Sequence, residues 1–119
     1  MKTVLIVEDT ELNIDLLTQL LEDDYNLVVA RDGTEGVALA IAHQPDLILM
    51  DINLPGIDGY EATRRIRAEA ALKTTPIVGL SAHARSSPEE MAKGAGCNAY
   101  LTKPIDDEAL FSTLKAFLG

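Results

Sequence analysis

The chain has 119 residues, which fits a single domain over residues 1–119. It holds 19 acidic and 10 basic residues, and its net charge of −9 argues against nucleic acid or an anionic membrane surface as a partner. Hydrophobic residues make up 47% of the chain, as in a folded core, yet no apolar run is long enough to span a membrane, and the apolar run before Glu8 is shorter than expected of a signal peptide. We therefore expect a cytoplasmic protein, in which the single Cys97 is a small buried hydrophobe rather than a metal ligand or nucleophile.

Five short apolar segments predict β-strands, and they alternate with segments of helical periodicity. The predicted strands are residues 4–7, 27–30, 47–50, 77–80 and 99–102. Because these segments are continuously apolar, both of their faces are expected to be buried, as in a parallel sheet covered by helices. Right-handed crossovers then place helices on both sides of the sheet, so the pattern predicts an α/β fold of three layers.

The first three helices are predicted from the spacing of their apolar residues. The first helix is predicted from leucines that recur at helical spacing, namely Leu12, Leu16, Leu17, Leu20 and Leu21. The dipeptide Asp32-Gly33 is predicted to close the second strand as a turn, and the next helix ends before Pro45. The third helix is expected to have a solvated face formed by Arg64, Arg65 and Arg67.

Two further helices are predicted in the last third of the chain. The segment Ser87-Pro88-Glu89-Glu90 has the features of a helix start, with a serine at the N-cap and a proline at the first helical position. The last helix opens with acidic residues 106–108, which suit the positive end of a helix dipole. Its buried stripe is expected to consist of Leu110, Phe111, Leu114, Phe117 and Leu118.

Four of the predicted strands end at a polar residue suited to phosphate chemistry. Glu8 and Asp9 follow the first strand, Asp51 the third, Ser81 the fourth and Lys103 the fifth. In an open parallel sheet, ligands bind outside the carboxyl ends of the strands where the strand order reverses, so these side chains should meet in one crevice. Three carboxylates beside one lysine favour a divalent cation, and a cation beside a lysine favours a phosphoryl group.

Each of these residues also has a simpler interpretation when it is taken alone. Asp9 or Thr10 is able to cap the first helix, Asp51 to form a turn, and Ser81 to satisfy the backbone. Lys103 is harder to explain, because a lysine in an apolar region is costly unless it is paired, and its natural partner is Asp51 or a phosphoryl group on it. The bond from Lys103 to the following proline is a candidate for the cis isomer.

These segments resemble the receiver domains of two-component response regulators, the CheY-like family. The resemblance is carried by residues 4–9, 47–59, 80–82 and 95–104, which match the acidic pair, the phosphoacceptor segment, the hydroxyl position and the Lys-Pro segment. The resemblance covers essentially the whole chain. Within the family, the chain is most similar in type to the single-domain receivers that regulate the cell cycle. It implies a flavodoxin-like (βα)5 fold with a five-stranded parallel sheet in the order 2-1-3-4-5.

The resemblance also implies a function. Asp51 would accept a phosphoryl group from a sensor histidine kinase or a histidine phosphotransfer protein, in a signalling domain that is not an enzyme in the usual sense. Asp9, Asp51 and the backbone carbonyl of Asn53 would bind Mg²⁺, and Glu8 would reach the ion through water. Lys103 would pair with the phosphoryl group.

The resemblance implies that the signalling output depends on two further residues, Ser81 and Tyr100. Ser81 would hydrogen-bond the phosphoryl group, and Tyr100 would turn inward as the switch aromatic. A downstream protein target would read the face formed by the fourth predicted helix, the fifth strand and the fifth predicted helix. Two residues depart from the commonest family pattern, since Glu8 is one methylene longer than the usual Asp and Ser81 lacks the methyl group of the usual Thr.

Other functions remain open at this point. A phosphatase with an aspartate nucleophile typically needs a second acid two residues later, where this chain has Asn53. A flavin- or nucleotide-binding module on the same fold would need a first loop rich in small residues, but Glu8 and Asp9 repel phosphate unless a metal intervenes. A pseudo-receiver that works without phosphorylation and a receiver cut from a larger protein also remain. His83 is a possible general base, although a solvated loop histidine is the simpler interpretation.

Overall fold

Five parallel strands form the middle layer of the structure. It is a computed structural model that describes residues 1–82 and 96–119, so the helix predicted to begin at Ser87 and the side chain of His83 lie outside the described residues. The strands are β1 (Thr3–Val7), β2 (Asn26–Ala30), β3 (Leu47–Asp51), β4 (Ile77–Ser81) and β5 (Ala99–Thr102). Their order is β2-β1-β3-β4-β5 and every pairing is parallel, which confirms the predicted sheet.

The described helices begin at well-defined positions. They are α1 (Glu11–Leu21), α2 (Gly33–His43), α3 (Gly59–Arg67), a short 3-10 helix (Ala70–Leu72) and a C-terminal helix (Asp107–Leu118). Asp32, Asp58 and Asp106 each accept a hydrogen bond from the backbone N–H three residues later, so each one is an N-cap. Asp32-Gly33 is therefore the start of α2, and its interpretation as only a turn was incomplete. None of the helices in the described ranges is long and apolar enough to cross a membrane.

The apolar core lies on both faces of the sheet, as the continuous apolar strands predicted. Successive residues of β1 and β3 point to opposite faces, so each strand contributes to two separate clusters. The first cluster joins the sheet to α2 and α3 through Leu5, Val7, Ile48, Met50, Ala40, Ala62 and Ile66. The second joins it to α1 and the C-terminal helix through Val4, Ile6, Leu47, Leu49, Leu17, Leu21, Leu110 and Leu114. This arrangement buries β3 and β4 along their whole length. The edge strands β2 and β5 are only partly buried, so the expected burial of both faces was wrong for these two strands.

The buried stripe predicted for the last helix was wrong for Phe111 and Phe117, and α1 buries only some of its leucines. Leu12 and Leu16 are 76% and 38% exposed, and Phe111 and Phe117 are 42% and 39% exposed. The residues that α1 buries are Ile14, Leu17 and Leu21, and those of the C-terminal helix are Leu110 and Leu114. A helix on a sheet buries a narrow stripe at spacings of three and four residues, and the other large apolar side chains fall on its flanks.

The predicted solvated face of α3 holds for Arg64 and Arg65 but not for Arg67. Arg64 and Arg65 are exposed and pair with Glu61. Arg67 is half-buried at the edge of the sheet. Its guanidinium donates hydrogen bonds to the carbonyl oxygens of Leu72, Lys73, Thr75 and Gly96 and to Oδ1 of Asn98. This side chain thus ties the end of α3 to the segments that lead into β4 and β5.

Candidate functional site at the carboxyl edge of the sheet

The acidic residues meet where the strand order reverses. The chain moves from β1 outward to β2 and then returns to place β3 on the other side of β1, so the carboxyl ends of β1 and β3 are neighbours. Glu8 and Asp9 follow β1, and Asp51 is the last residue of β3. One carboxylate oxygen from each of the three residues lies within 4.8 Å of the others. The predicted meeting of these side chains in one crevice is therefore what the structure shows.

The three carboxylates differ in their exposure to solvent. Glu8 is fully buried and Asp51 is 2% exposed, whereas Asp9 lies at the surface. Buried carboxylates are costly unless cations or hydrogen-bond donors compensate their charge. Lys103 supplies one positive charge, since its ammonium lies 2.9 Å from Oε1 of Glu8 and 3.1 Å from Oδ1 of Asp51. Three carboxylates then face one ammonium, which leaves the crevice with an excess of negative charge.

Glu8 is held by contacts at both of its oxygens. Its Oε2 accepts hydrogen bonds from the backbone N–H groups of Asp9 and Thr10, at 3.0 and 3.1 Å. Its Oε1 accepts the hydrogen bond from Lys103. The Glu8 side chain thus satisfies the two N–H groups just before α1. Thr10 occupies the N-cap position of α1, but its side chain forms no capping hydrogen bond. The sequence analysis expected Asp51 as the partner of Lys103 and missed Glu8, which is 95 residues away in the chain.

The ammonium of Lys103 stays charged because of these two partners. Burial by itself lowers the pKa of Lys103, but the hydrogen bond to Glu8 and the negative charge of Asp51 outweigh burial and raise that pKa above its ordinary value. The backbone N–H of Lys103 donates to the carbonyl oxygen of Ser81 at 2.7 Å, which places the end of β5 beside the end of β4. The bond from Lys103 to Pro104 is cis, as the sequence suggested.

The remaining predicted residues lie on β4, on β5 and just after β3. The backbone N–H of Asn53 donates to Oδ1 of Asp51 at 3.0 Å, and the Asn53 side chain is exposed. Ser81 is 1% exposed at the end of β4. Tyr100 is partly buried and packs against the core cluster on the side of α3. The structure therefore places Lys103 and the backbone N–H of Asn53 in contact with Asp51, and Ser81 lies at the end of the neighbouring strand.

One residue near the site was missed by the sequence analysis. Gly59, the first residue of α3, packs so closely that a Cβ atom there would overlap the carbonyl oxygen of Asp51 and the Cα of Ile52. Its N–H donates to the carbonyl oxygen of Ile52 at 3.0 Å. The absence of a side chain at Gly59 thus sets how closely α3 approaches the end of β3. The sequence feature that could have identified Gly59 is the Asp58-Gly59 dipeptide, an N-cap residue followed by a glycine.

A parallel sheet with three carboxylates and a lysine at its switch point is the arrangement of a receiver-type fold. The family model for the response regulator receiver domain matches residues 4–115, and the chain belongs to this family. Among curated proteins, it is 41% identical over 119 residues to the polar-differentiation response regulator DivK of Brucella anthropi. That match covers 99% of this chain and 97% of its relative. The similarity to a single-domain regulator agrees with the sequence-based expectation.

Solved structures agree with the fold. The chemotaxis protein CheY4 of Vibrio cholerae superimposes with a TM-score of 0.94 at 31% identity, covering 99% of both chains. The receiver domain of a sensor histidine kinase from Pseudomonas aeruginosa superimposes with a TM-score of 0.91 at 36% identity, covering 98% of this chain and 96% of its own. The latter structure has a magnesium ion coordinated in its active site cleft.

Proposed function

We propose that this chain is a response regulator whose Asp51 accepts a phosphoryl group from a sensor histidine kinase or a histidine phosphotransfer protein. The observation that carries the proposal is the pairing of a 2% exposed Asp51 carboxylate with the Lys103 ammonium, 3.1 Å from its Oδ1, at the switch point of the sheet. A carboxylate there is able to attack phosphorus, forming an acyl phosphate while the bond from phosphorus to the donor imidazole breaks.

The donor set fits Mg²⁺. Hard cations of this kind take oxygen ligands, usually one or two carboxylates together with water and a phosphate oxygen. Asp9 and Asp51 supply the carboxylates, and Asn53 would add its backbone carbonyl. Glu8 completes the negative crevice, whose excess charge over Lys103 favours a divalent cation. The bound ion would neutralise charge on the transferring phosphoryl group.

The side chains of the protein would orient the phosphoryl group and stabilise its negative charge. Phosphoryl transfer needs little covalent chemistry from a protein, so catalysis comes mainly from orientation and electrostatic stabilisation. Lys103 already touches Asp51 and would hold an oxygen of the incoming phosphoryl group. Ser81, buried at the end of the neighbouring strand, would donate a further hydrogen bond to it. The aspartyl phosphate would serve as a signal, so the domain assists its own phosphorylation and dephosphorylation only.

The phosphoryl group would switch a protein-binding surface. It brings close to two negative charges and strong acceptor oxygens. Each charge-assisted hydrogen bond to it contributes roughly 1.5–3 kcal/mol. Inverting a population from 1:99 to 99:1 needs about 5.5 kcal/mol, so two or three such contacts suffice. Movement of Ser81 would make room for Tyr100, and a downstream protein would read β5, the C-terminal helix and the fourth predicted helix, which lies outside the described residues.

Two alternative functions are an aspartate-nucleophile phosphatase and a pseudo-receiver. An aspartate-nucleophile phosphatase would turn over phosphomonoesters continuously, but Asn53, two residues after Asp51, cannot act as the acid or base. A pseudo-receiver would bind partners without phosphorylation, although the carboxylates of Glu8, Asp9 and Asp51 lie within 4.8 Å of one another and Lys103 pairs with Glu8 and Asp51. We therefore expect that the protein neither turns over phosphomonoesters continuously nor works without phosphorylation.

The deciding experiment is the intact mass of the protein after incubation with acetyl phosphate and Mg²⁺. We expect one added phosphoryl group, which is absent from Asp51→Ala and absent when EDTA removes the metal. Mutation of Asp58→Ala is the matched control, because Asp58 is a nearby exposed carboxylate that caps α3. No adduct on the wild-type protein, together with no Mg²⁺ binding, would refute the proposal and favour the pseudo-receiver.

A further inference from the structure

A second cavity lies between the end of α1 and the C-terminal helix, and we propose that it binds a small organic anion with an aromatic body. Its volume is about 530 Å³, within the range of roughly 300–1,000 Å³ that ligand pockets usually have. The residues that line it are Lys2, Asp24, Tyr25, Phe111, Lys115, Leu118 and Gly119. This inference goes beyond the proposed function, because none of these residues belongs to the phosphoacceptor crevice.

The cavity lies at the amino edge of the sheet, opposite the phosphoacceptor crevice. Lys2 directly precedes β1 and Tyr25 directly precedes β2, whereas Asp51 is the last residue of β3. All strands run in the same direction, so the two sites are separated by the length of the strands. A ligand in this cavity would therefore leave the Asp51 carboxylate free.

The walls of the cavity are held in place by the fold. The backbone N–H of Tyr25 donates to the carbonyl oxygen of Leu21 at 3.0 Å, which fixes the turn after α1. The N–H of Asn26 donates to the carbonyl oxygen of Lys2 at 2.9 Å. Tyr25 and Leu118 pack against the core cluster between the sheet, α1 and the C-terminal helix. A preformed site of this kind binds a ligand without first having to be ordered.

The apolar part of the cavity suits a flat ring. Phe111, Lys115 and Leu118 are four and three residues apart, so they lie on one face of the C-terminal helix. Phe111 is 42% exposed, although the sequence predicted a buried residue, and it is exposed where it lines this cavity. Tyr25 provides a second aromatic side chain from the turn after α1. Aromatic side chains pack favourably against a further ring in offset or edge-to-face contacts.

The charged part of the cavity favours an anion. Lys2 and Lys115 form no ion pair with the described residues, although Asp24 lines the same cavity. Lys115 lies in the last turn of its helix, where a cation also interacts favourably with the helix dipole, but Lys2 belongs to a different segment. The net charge of the chain is −9, so most of its surface repels anions. Two lysines with unused ammonium groups beside two aromatic side chains therefore point to an aromatic anion.

The test compares two probes that have the same rings but differ in charge, naphthoate and the neutral naphthalenemethanol. Each is titrated without metal into the ¹⁵N-labelled protein, and the backbone amide signals are followed. We expect naphthoate to bind with a Kd of roughly 0.1–1 mM and to shift the signals of Tyr25, Phe111 and Leu118. The signal of Asp51 should stay constant. Naphthalenemethanol should bind about threefold to tenfold more weakly, because exposed ion pairs contribute little individually.

Variants of exposed residues separate the roles of charge and rings. The double variant Lys2→Gln, Lys115→Gln should bind both probes with similar affinity, because the preference for the anion is lost. Phe111→Ser should weaken both probes at least about fivefold, because the apolar contact to the ring is removed. Lys73→Gln is the matched control, since Lys73 is an exposed lysine that does not line the cavity, and it should bind both probes as the wild type does.

Three outcomes would overturn the proposal. The first is the absence of saturable shifts at Tyr25 and Phe111 at naphthoate concentrations about tenfold above the expected Kd. The second is equal affinity of the wild type for the charged and the neutral probe. The third is a wild-type dimer in sedimentation velocity that Phe111→Ser dissociates and that does not bind naphthoate, which would assign the face to a second copy of the chain. No phosphodonor is used, so the result is independent of whether Asp51 accepts a phosphoryl group.

Discussion

Removal of the Arg67 side chain is the sharpest test of how this fold holds β5 in place. Four of its acceptors lie at 2.6 to 3.0 Å, namely the carbonyl oxygens of Leu72, Thr75 and Gly96 and Oδ1 of Asn98. A hydrogen bond that involves a charged group contributes roughly 1.5–3 kcal/mol. The contacts share one side chain, and water partly replaces them at this half-buried edge, so they do not add fully. We expect Arg67→Ala to lower the free energy of unfolding by about 2–4 kcal/mol.

This loss is large compared with the total stability of a domain, which is typically about 5–15 kcal/mol. The assay is urea denaturation followed by circular dichroism, with the midpoint and slope compared between variants. Arg65→Ala is the matched control on the same helix, because Arg65 is exposed and pairs only with Glu61 among the described residues. That control should cost no more than about 0.5 kcal/mol. Equal midpoints for the two variants at an unchanged slope would refute the argument.

Three further predictions concern the site and its surroundings. Gly59→Ala should displace the end of β3 and lower the rate at which Asp51 accepts a phosphoryl group, because the added Cβ overlaps the Asp51 carbonyl; amide chemical shifts around Asp51 that match wild type would contradict this. The ion pairs of Lys103 should stabilise the fold fully below its unfolded pKa of 10.5 and lose this effect as pH rises through the higher folded pKa. Thermal melts of the wild type and Lys103→Met from pH 8 upward should therefore converge at the alkaline end, and parallel curves would count against the shift. Burial raises the pKa of the Cys97 thiol, so iodoacetamide should modify it far more slowly in the folded protein than in urea, and equal rates would show that the thiol is accessible.

The sequence by itself determined the sheet and the residues at its carboxyl edge. Continuous apolar runs favour strands that helices cover on both faces, so the strands and the two helical layers were predictable from local pattern. The switch-point rule then predicted that Glu8, Asp9, Asp51, Ser81 and Lys103 lie near one another. The strand order, which the resemblance to receiver domains implied, is the one observed.

Only the tertiary structure decided which partners these side chains take. Leu12 and Phe111 are as apolar as the residues that their helices bury, so the residue type does not reveal that they are exposed. Their exposure depends on how each helix is rotated about its axis against the sheet. Arg67 looks like its solvated neighbours in the sequence, but the segments before β4 and β5 bring carbonyl oxygens to it. Glu8 and Lys103 are 95 residues apart, and their contact depends on the joint placement of β1 and β5. Such contacts carry no local periodicity, because they arise between segments that only the folded chain brings together.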